Sequence, residues 1–180
     1  MSMRPRLVVI FLLAAAMAWL TFREPSGGGG MTLPASGKAP AWVLHDLEGR
    51  EVRADQFLGR VVLLNFWATY CPPCRQEIPE LIRFSKETPT NSAVIIGVST
   101  DESGAAVVRP YAAARGINYP MLVADSNTVD QFGGVSAIPT TFIIDAEGNL
   151  RFRHLGTLNR SQLAKLVRIV STPRSSTTGQ

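Results

Sequence analysis

Sulfur and imidazole are scarce in this 180-residue chain, which has two cysteines and two histidines. With only Cys71 and Cys74 there is no thiol left for a second, structural disulfide. Zinc usually takes four Cys or His ligands at short spacing, and His45 and His154 lie far from the cysteines in sequence. No metal and no other cofactor is therefore expected, and both histidines read as incidental surface residues in a hairpin or strand. An uncompensated basic surface is also lacking. The formal net charge of +4 misleads, because Arg4, Arg6, Arg23 and Arg174 lie in the flanks against Glu24 alone. Acids and bases nearly cancel in between, which leaves no nucleic-acid footprint. No cysteine stands just after the apolar run over residues 7–22, which argues against a lipoprotein anchor.

That run is preceded by Arg4 and Arg6, the charge order of an export signal with its basic end in the cytoplasm. Ala16-Met17-Ala18 resembles a cleavage site, whereas continuation through Trp19, Leu20 and Phe22 suits an uncleaved anchor. The anchor is the preferred reading, with cleavage to a soluble protein as the alternative. Residues 1–22 are thus a signal-anchor or signal peptide and 23–38 a Gly-rich flexible tether. Residues 39–171 form one domain and 172–180 a polar, disordered tail. The length suffices for a single core.

The two cysteines stand in Trp67-Ala68-Thr69-Tyr70-Cys71-Pro72-Pro73-Cys74. Before them runs a β-rich, nearly continuous apolar stretch, residues 61–68, the pattern of a buried strand. After them Ile78, Leu81 and Ile82 recur on one helical face. If the helix starts near Pro72, Cys71 is its N-cap, and the positive helix end favours the thiolate. Pro72 and Pro73 fit the first turn but remove two N–H donors that would otherwise face the Cys71 sulfur. The expected thiolate is stabilised by the helix end and the Cys74 N–H, with moderate acidity that favours a reducing or balanced couple over a strongly oxidising one. Cys74, one turn in, is the resolving thiol. A structural disulfide is the competing reading, but so small a loop adds little stability.

Elsewhere the pattern predicts a hairpin turning near Glu48-Gly49 and a helix from Pro72 to Lys86, kinked by Pro79. Further strands are expected at 93–99, 121–124, 140–144 and 150–154, with helices at 105–115 and 160–170 and a helical turn at 129–132. Asn159 or Ser161 is available to cap the last helix. Strands alternating with helices and ending in a hairpin indicate an α/β fold with a mixed sheet.

This order, with the Cys-Pro-Pro-Cys segment and Ala137-Ile138-Pro139-Thr140-Thr141-Phe142, resembles the thioredoxin superfamily. More narrowly, Asn65-Phe66-Trp67-Ala68-Thr69, Glu77-Ile78-Pro79 and Gly97-Val98-Ser99-Thr100-Asp101 resemble the exported, membrane-tethered TlpA/ResA/CcmG-type thiol–disulfide oxidoreductases. The resemblance spans residues 39–170. It implies a thioredoxin-like fold with an N-terminal β-hairpin and a central αβ insertion over 102–125. It implies a redox-active Cys71–Cys74 disulfide and a cis Pro139 beside Cys71, with the Ile138 backbone pairing with an extended partner segment.

Asn65 stands where many cytoplasmic thioredoxins carry a buried Asp. Glu77 matches a Glu near the site in the exported branch, and one turn below Cys74 its carboxylate can accept that thiol's proton. Trp67 and Tyr70 fit the aromatic wall beside the dithiol, Trp67 largely as core and Tyr70 at the docking rim. Glu80 reads as a solvated surface residue. The implied function is reduction of client disulfides, of the cytochrome c maturation or copper-centre assembly type. The partners would be a protein disulfide client, a transmembrane thiol electron donor and the cytoplasmic membrane. The location would be the periplasmic or extracytoplasmic face, and the state a monomer. Alternatives are a periplasmic dithiol oxidase or isomerase, a peroxiredoxin-like peroxidase and a copper-binding chaperone. The peroxidase pattern fails, because Leu64 and Trp67 lie seven residues before Cys71 and Cys74 where that class carries another residue type.

Overall fold

The computed structural model describes residues 31–32 and 37–172. The apolar run over 7–22, the glycines at 27–30 and residues 173–180 lie outside the described residues. Among those described, no helix is long and apolar enough to cross a membrane.

One mixed sheet organises the chain. Its strands are β1 (Met31–Thr32), β2 (Gly37–Lys38), β3 (Val43–Asp46), β4 (Glu51–Arg53), β5 (Val61–Trp67), β6 (Ala93–Ser99), β7 (Met121–Val123), β8 (Thr140–Ile144) and β9 (Asn149–Leu155). The order is β1-β9-β8-β5-β6-β7-β3-β4, with β2 also on β9. β5 runs parallel to β6 and antiparallel to β8. Every residue of β5 is buried, as expected of a central strand covered on both faces.

Period-2 alternation sends Val61, Leu63 and Trp67 into one core, with Ile78, Leu81, Leu163 and Leu166. It sends Val62, Leu64 and Phe66 into the other, with Trp42, Phe132 and Phe142. Helices α1 (Pro72–Glu87), α2 (Ala105–Arg115) and α4 (Arg160–Ser171) supply apolar residues to the first core. α3 (Ser126–Gln131) lies between Asp125 and Phe132, and Val129 packs into the second core.

Most element bounds follow the sequence pattern. The β3–β4 hairpin turns through Gly49 at φ +81°. α2 ends at Gly116 in the left-handed conformation, where an L side chain is disfavoured. Asn159 caps α4 by accepting from the Gln162 N–H, while the Gln162 side chain accepts from the Asn159 N–H. α1 runs through Pro79 to Glu87 as a continuous helix, and Pro79 offers no N–H to the Arg75 carbonyl one turn back.

Three expectations need correction. α3 begins at Ser126, not Val129, because the Asp125 carboxylate accepts the Thr128 N–H at 2.6 Å and starts the helix earlier. Two short strands fall in the segment expected to be tether: Met31–Thr32 and Gly37–Lys38 pair with the otherwise open edge of β9. His154 is not a surface residue. It lies on β9 opposite Thr141 and is 4 % exposed. His45 is exposed on β3.

Candidate active site

The site forms where β5 ends and α1 begins. Trp67 closes the strand, Ala68 to Tyr70 turn the chain, and Cys71 is the N-cap of α1. Cys71 and Cys74 are joined as a disulfide, with Cα atoms 5.3 Å apart. The Cys74 N–H donates to Cys71 Sγ at 3.3 Å. Pro72 and Pro73 occupy the first turn and bring no N–H to the sulfur. Cys71 is 5 % exposed and Cys74 1 %, so Cys71 is the more accessible sulfur of the two.

The opposite wall is the loop before β8. The Ile138–Pro139 peptide is cis, and Cys71 Sγ lies 3.7 Å from the Ile138 carbonyl oxygen. Two bonds anchor this loop: the Thr140 hydroxyl donates to the Ala137 carbonyl at 2.7 Å, and the Gly156 N–H donates to the Pro139 carbonyl at 2.9 Å. Tyr70 stands out from the surface at 68 % exposure, whereas Trp67 is buried against Tyr111, with ring centroids 5.6 Å apart.

Beneath the dithiol, Glu77 is 2 % exposed. Its Oε1 accepts the Leu158 N–H at 2.7 Å and its Oε2 accepts from the Asn65 amide at 3.2 Å. Asn65 donates in turn to the Thr141 hydroxyl at 2.9 Å. Burial pushes the Glu77 carboxyl up to about 7, and the bonds from Leu158 and Asn65 hold it from going higher. Tyr119 packs nearby; burial, then Glu77 and Tyr111, push its phenol up. Glu80, expected to be solvated, instead accepts the Arg160 N–H at 3.0 Å at the start of α4 and pairs with Arg83.

Sequence reasoning placed Asp101 in a motif without giving it a task. Its Oδ1 accepts from the Thr69 hydroxyl at 2.6 Å, and its Oδ2 from the Thr69 N–H at 2.9 Å and the Ser99 hydroxyl at 2.7 Å. The carboxylate therefore ties the turn just before Cys71 to the end of β6. A signal was present: an acid at a strand end can accept backbone N–H groups of a neighbouring turn.

Cys71, Cys74, Ile138 and Pro139 thus converge on one face, with Tyr70 at its rim, Trp67 behind it and Glu77 buried one turn further along α1. A Cys-x-x-Cys disulfide at a helix N-terminus, faced by a cis-proline loop on a mixed sheet, defines a thioredoxin-like thiol–disulfide oxidoreductase. Residues 35–153 match the AhpC/TSA family, and the chain belongs to it. It is 31 % identical over 162 residues to the thiol-disulfide oxidoreductase ResA of Geobacillus thermodenitrificans (strain NG80-2), covering 88 % of this chain and 90 % of that protein. It is 33 % identical over 127 residues to the thioredoxin-like protein YneN of Bacillus subtilis (strain 168), covering 70 % and 74 %. A crystal structure of a thioredoxin-family thiol:disulfide interchange protein from Chlorobium tepidum TLS superposes with a TM-score of 0.69 at 28 % identity. That match covers 77 % of this chain and 99 % of the other.

Proposed function

We propose that this oxidoreductase works as a membrane-tethered reductase of client disulfides outside the cytoplasm, with Cys71 as nucleophile. The carrying observation is the single N–H among the described residues, from Cys74, on the Cys71 sulfur at the start of α1. With two prolines in the first turn, the thiolate gains less hydrogen bonding than an ordinary helix start offers. Its acidity is then moderate and the dithiol gives up electrons readily.

In the reduced protein the Cys71 thiolate attacks one sulfur of the client disulfide. A Cys71–client bond forms, and the client's other sulfur leaves as a thiolate. Cys74, deprotonated by the Glu77 carboxylate, then attacks Cys71 Sγ and expels the client's second thiolate. Two electrons have moved to the client, and the Cys71–Cys74 disulfide remains for re-reduction by a transmembrane thiol donor. The exposed Tyr70 ring and the Ile138 backbone supply the surface on which an extended client segment docks. The basic-then-apolar order of residues 1–22 supports tethering, with clients of the cytochrome c maturation or copper-centre assembly type.

A Cys74→Ser variant cannot resolve the mixed disulfide, so it should accumulate a client linked to Cys71. The reduction potential of the wild type should lie well below those of strongly oxidising exported enzymes. A potential as high as theirs would overturn the reductase assignment in favour of an oxidase.

A further inference from the structure

His154 has no part in the chemistry above, yet it is buried on the same sheet face as Asn65 and Thr141, its register neighbours across β5, β8 and β9. Its Nε2 lies 3.2 Å from the Thr157 carbonyl oxygen. A carbonyl has no proton to give, so Nε2 carries the hydrogen and donates. Nδ1 is then the bare nitrogen, and it is buried with no hydrogen-bond partner among the described residues. Protonating it would bury an unpaired N–H on a cation, which the site disfavours. Burial accordingly holds the imidazole below its ordinary range, against the opposing effect of the Thr157 bond.

The Thr157 carbonyl and the Leu158 N–H belong to one peptide group. One end of that group accepts from His154, and the other donates to Glu77 Oε1 at 2.7 Å. We infer that His154 is a positioning residue for Glu77, acting through the 157–158 peptide: it orients that amide and polarises its N–H towards the carboxylate. Hydrogen bonds in series strengthen one another in a buried site, and a firmer N–H stabilises the ionised carboxylate. The other groups facing Glu77 are the Asn65 amide, the Tyr119 phenol and, one turn back on α1, Cys74. Asn65 reaches the other carboxylate oxygen, Oε2, whereas the 157–158 peptide serves Oε1, so the two contributions act at different atoms.

The inference rests on Glu77 as the proton acceptor for its functional meaning, but its test does not. The titration of the Glu77 carboxyl carbon would be followed by NMR in the oxidised protein, where neither cysteine titrates, with Glu77→Gln assigning the signal. His154→Phe removes the donor and should move the midpoint up from about 7 by roughly 0.3–0.6 pH unit, the share of a charged hydrogen bond that its serial partner supplies. His154→Gln places an amide N–H near the position of Nε2 and should restore most of the original midpoint. An unmoved midpoint in His154→Phe, or equal shifts in both variants, would overturn the inference. Nitrogen NMR of the unaltered protein gives a check free of folding effects: an Nε2–H tautomer supports the geometry, and an Nδ1–H tautomer refutes it. If Glu77→Gln left the pH profile of exchange unchanged, the proton role would fall while these titrations still stood.

Discussion

A carboxyl raised from its ordinary 4.5 to about 7 by burial binds a proton more tightly in the folded chain than in the unfolded one. Between those two values the native state holds more protons, so stability falls as pH rises and levels off above about 7. The difference, at about 1.36 kcal/mol per pH unit, comes to about 3 kcal/mol. Glu77→Gln removes this cost while preserving shape. The Leu158 N–H still finds an oxygen, and the Asn65 amide can rotate to accept from the nitrogen of the introduced amide and from the Thr141 hydroxyl. The oxidised Glu77→Gln variant should therefore match the wild type near pH 4.5 and exceed it by about 3 kcal/mol at pH 8. Urea unfolding of both proteins across that range measures the gap. His154, whose folded value is depressed, acts with opposite sign: its burial penalty shrinks as pH rises towards 6.5. That contribution is present in both proteins, so only its coupling to Glu77 through the 157–158 peptide enters the difference. A difference that stays constant from pH 4.5 to 8 would refute the assignment of a buried, proton-binding carboxyl.

Asp101→Ala strips three acceptor bonds from Thr69 and Ser99. It should cost at least about 2 kcal/mol in denaturant unfolding and slow thiol exchange by loosening the turn before Cys71. Gly97→Ala would drive a Cβ into Met121 Sδ and to 3.3 Å from Trp67 Nε1, costing about 1–3 kcal/mol. Met121→Ala clears that space, so a double-mutant cycle on unfolding free energies should show favourable coupling of the pair. Tyr70→Ala removes an exposed ring and should leave stability within about 0.5 kcal/mol. Its effect should appear as a raised KM for a protein disulfide and an unchanged rate with a small disulfide.

The parts of this fold that could be read in advance are those whose side chains repeat at a structural period. β5 and β6 are nearly continuous apolar runs, broken at Asn65 and ending at Ser99, because both faces are covered, and α1 and α4 show their buried stripes directly. The same logic would have placed His154, since Phe152 and His154 alternate on the face that carries Ile143 and Thr141. A lone histidine suggested surface, but its position in the strand argued otherwise. The Asp125 cap was likewise visible as an acid three residues before Thr128. What had no local signal was contact made between distant segments. The pairing of Gly37–Lys38 with β9 involves too few residues to leave a pattern. Glu77 could be matched to a position near the dithiol, but its two partners come from β5 and from the loop after β9.

Under the proposed proton role of Glu77, those partners make the carboxyl useful as well as costly. An ordinary thiol titrates near 8.5 and a solvated glutamate near 4.3, so a proton passing from one to the other climbs about 4 pH units, roughly 6 kcal/mol. With Glu77 at about 7, the climb from such a thiol falls to roughly 2 kcal/mol. The decrease has the same origin as the stability lost above neutral pH, because both arise from holding a carboxylate in the first core between α1 and the sheet. The Leu158 N–H and the Asn65 amide set how far the rise goes. Without them desolvation alone would drive the carboxyl higher still, leaving it protonated at neutral pH and unable to accept from Cys74. A variant that stabilises the fold by neutralising Glu77 should therefore also slow resolution of the mixed disulfide. If Glu77→Gln gained stability at pH 8 and resolved at the wild-type rate, the buried charge would be a cost without a catalytic return.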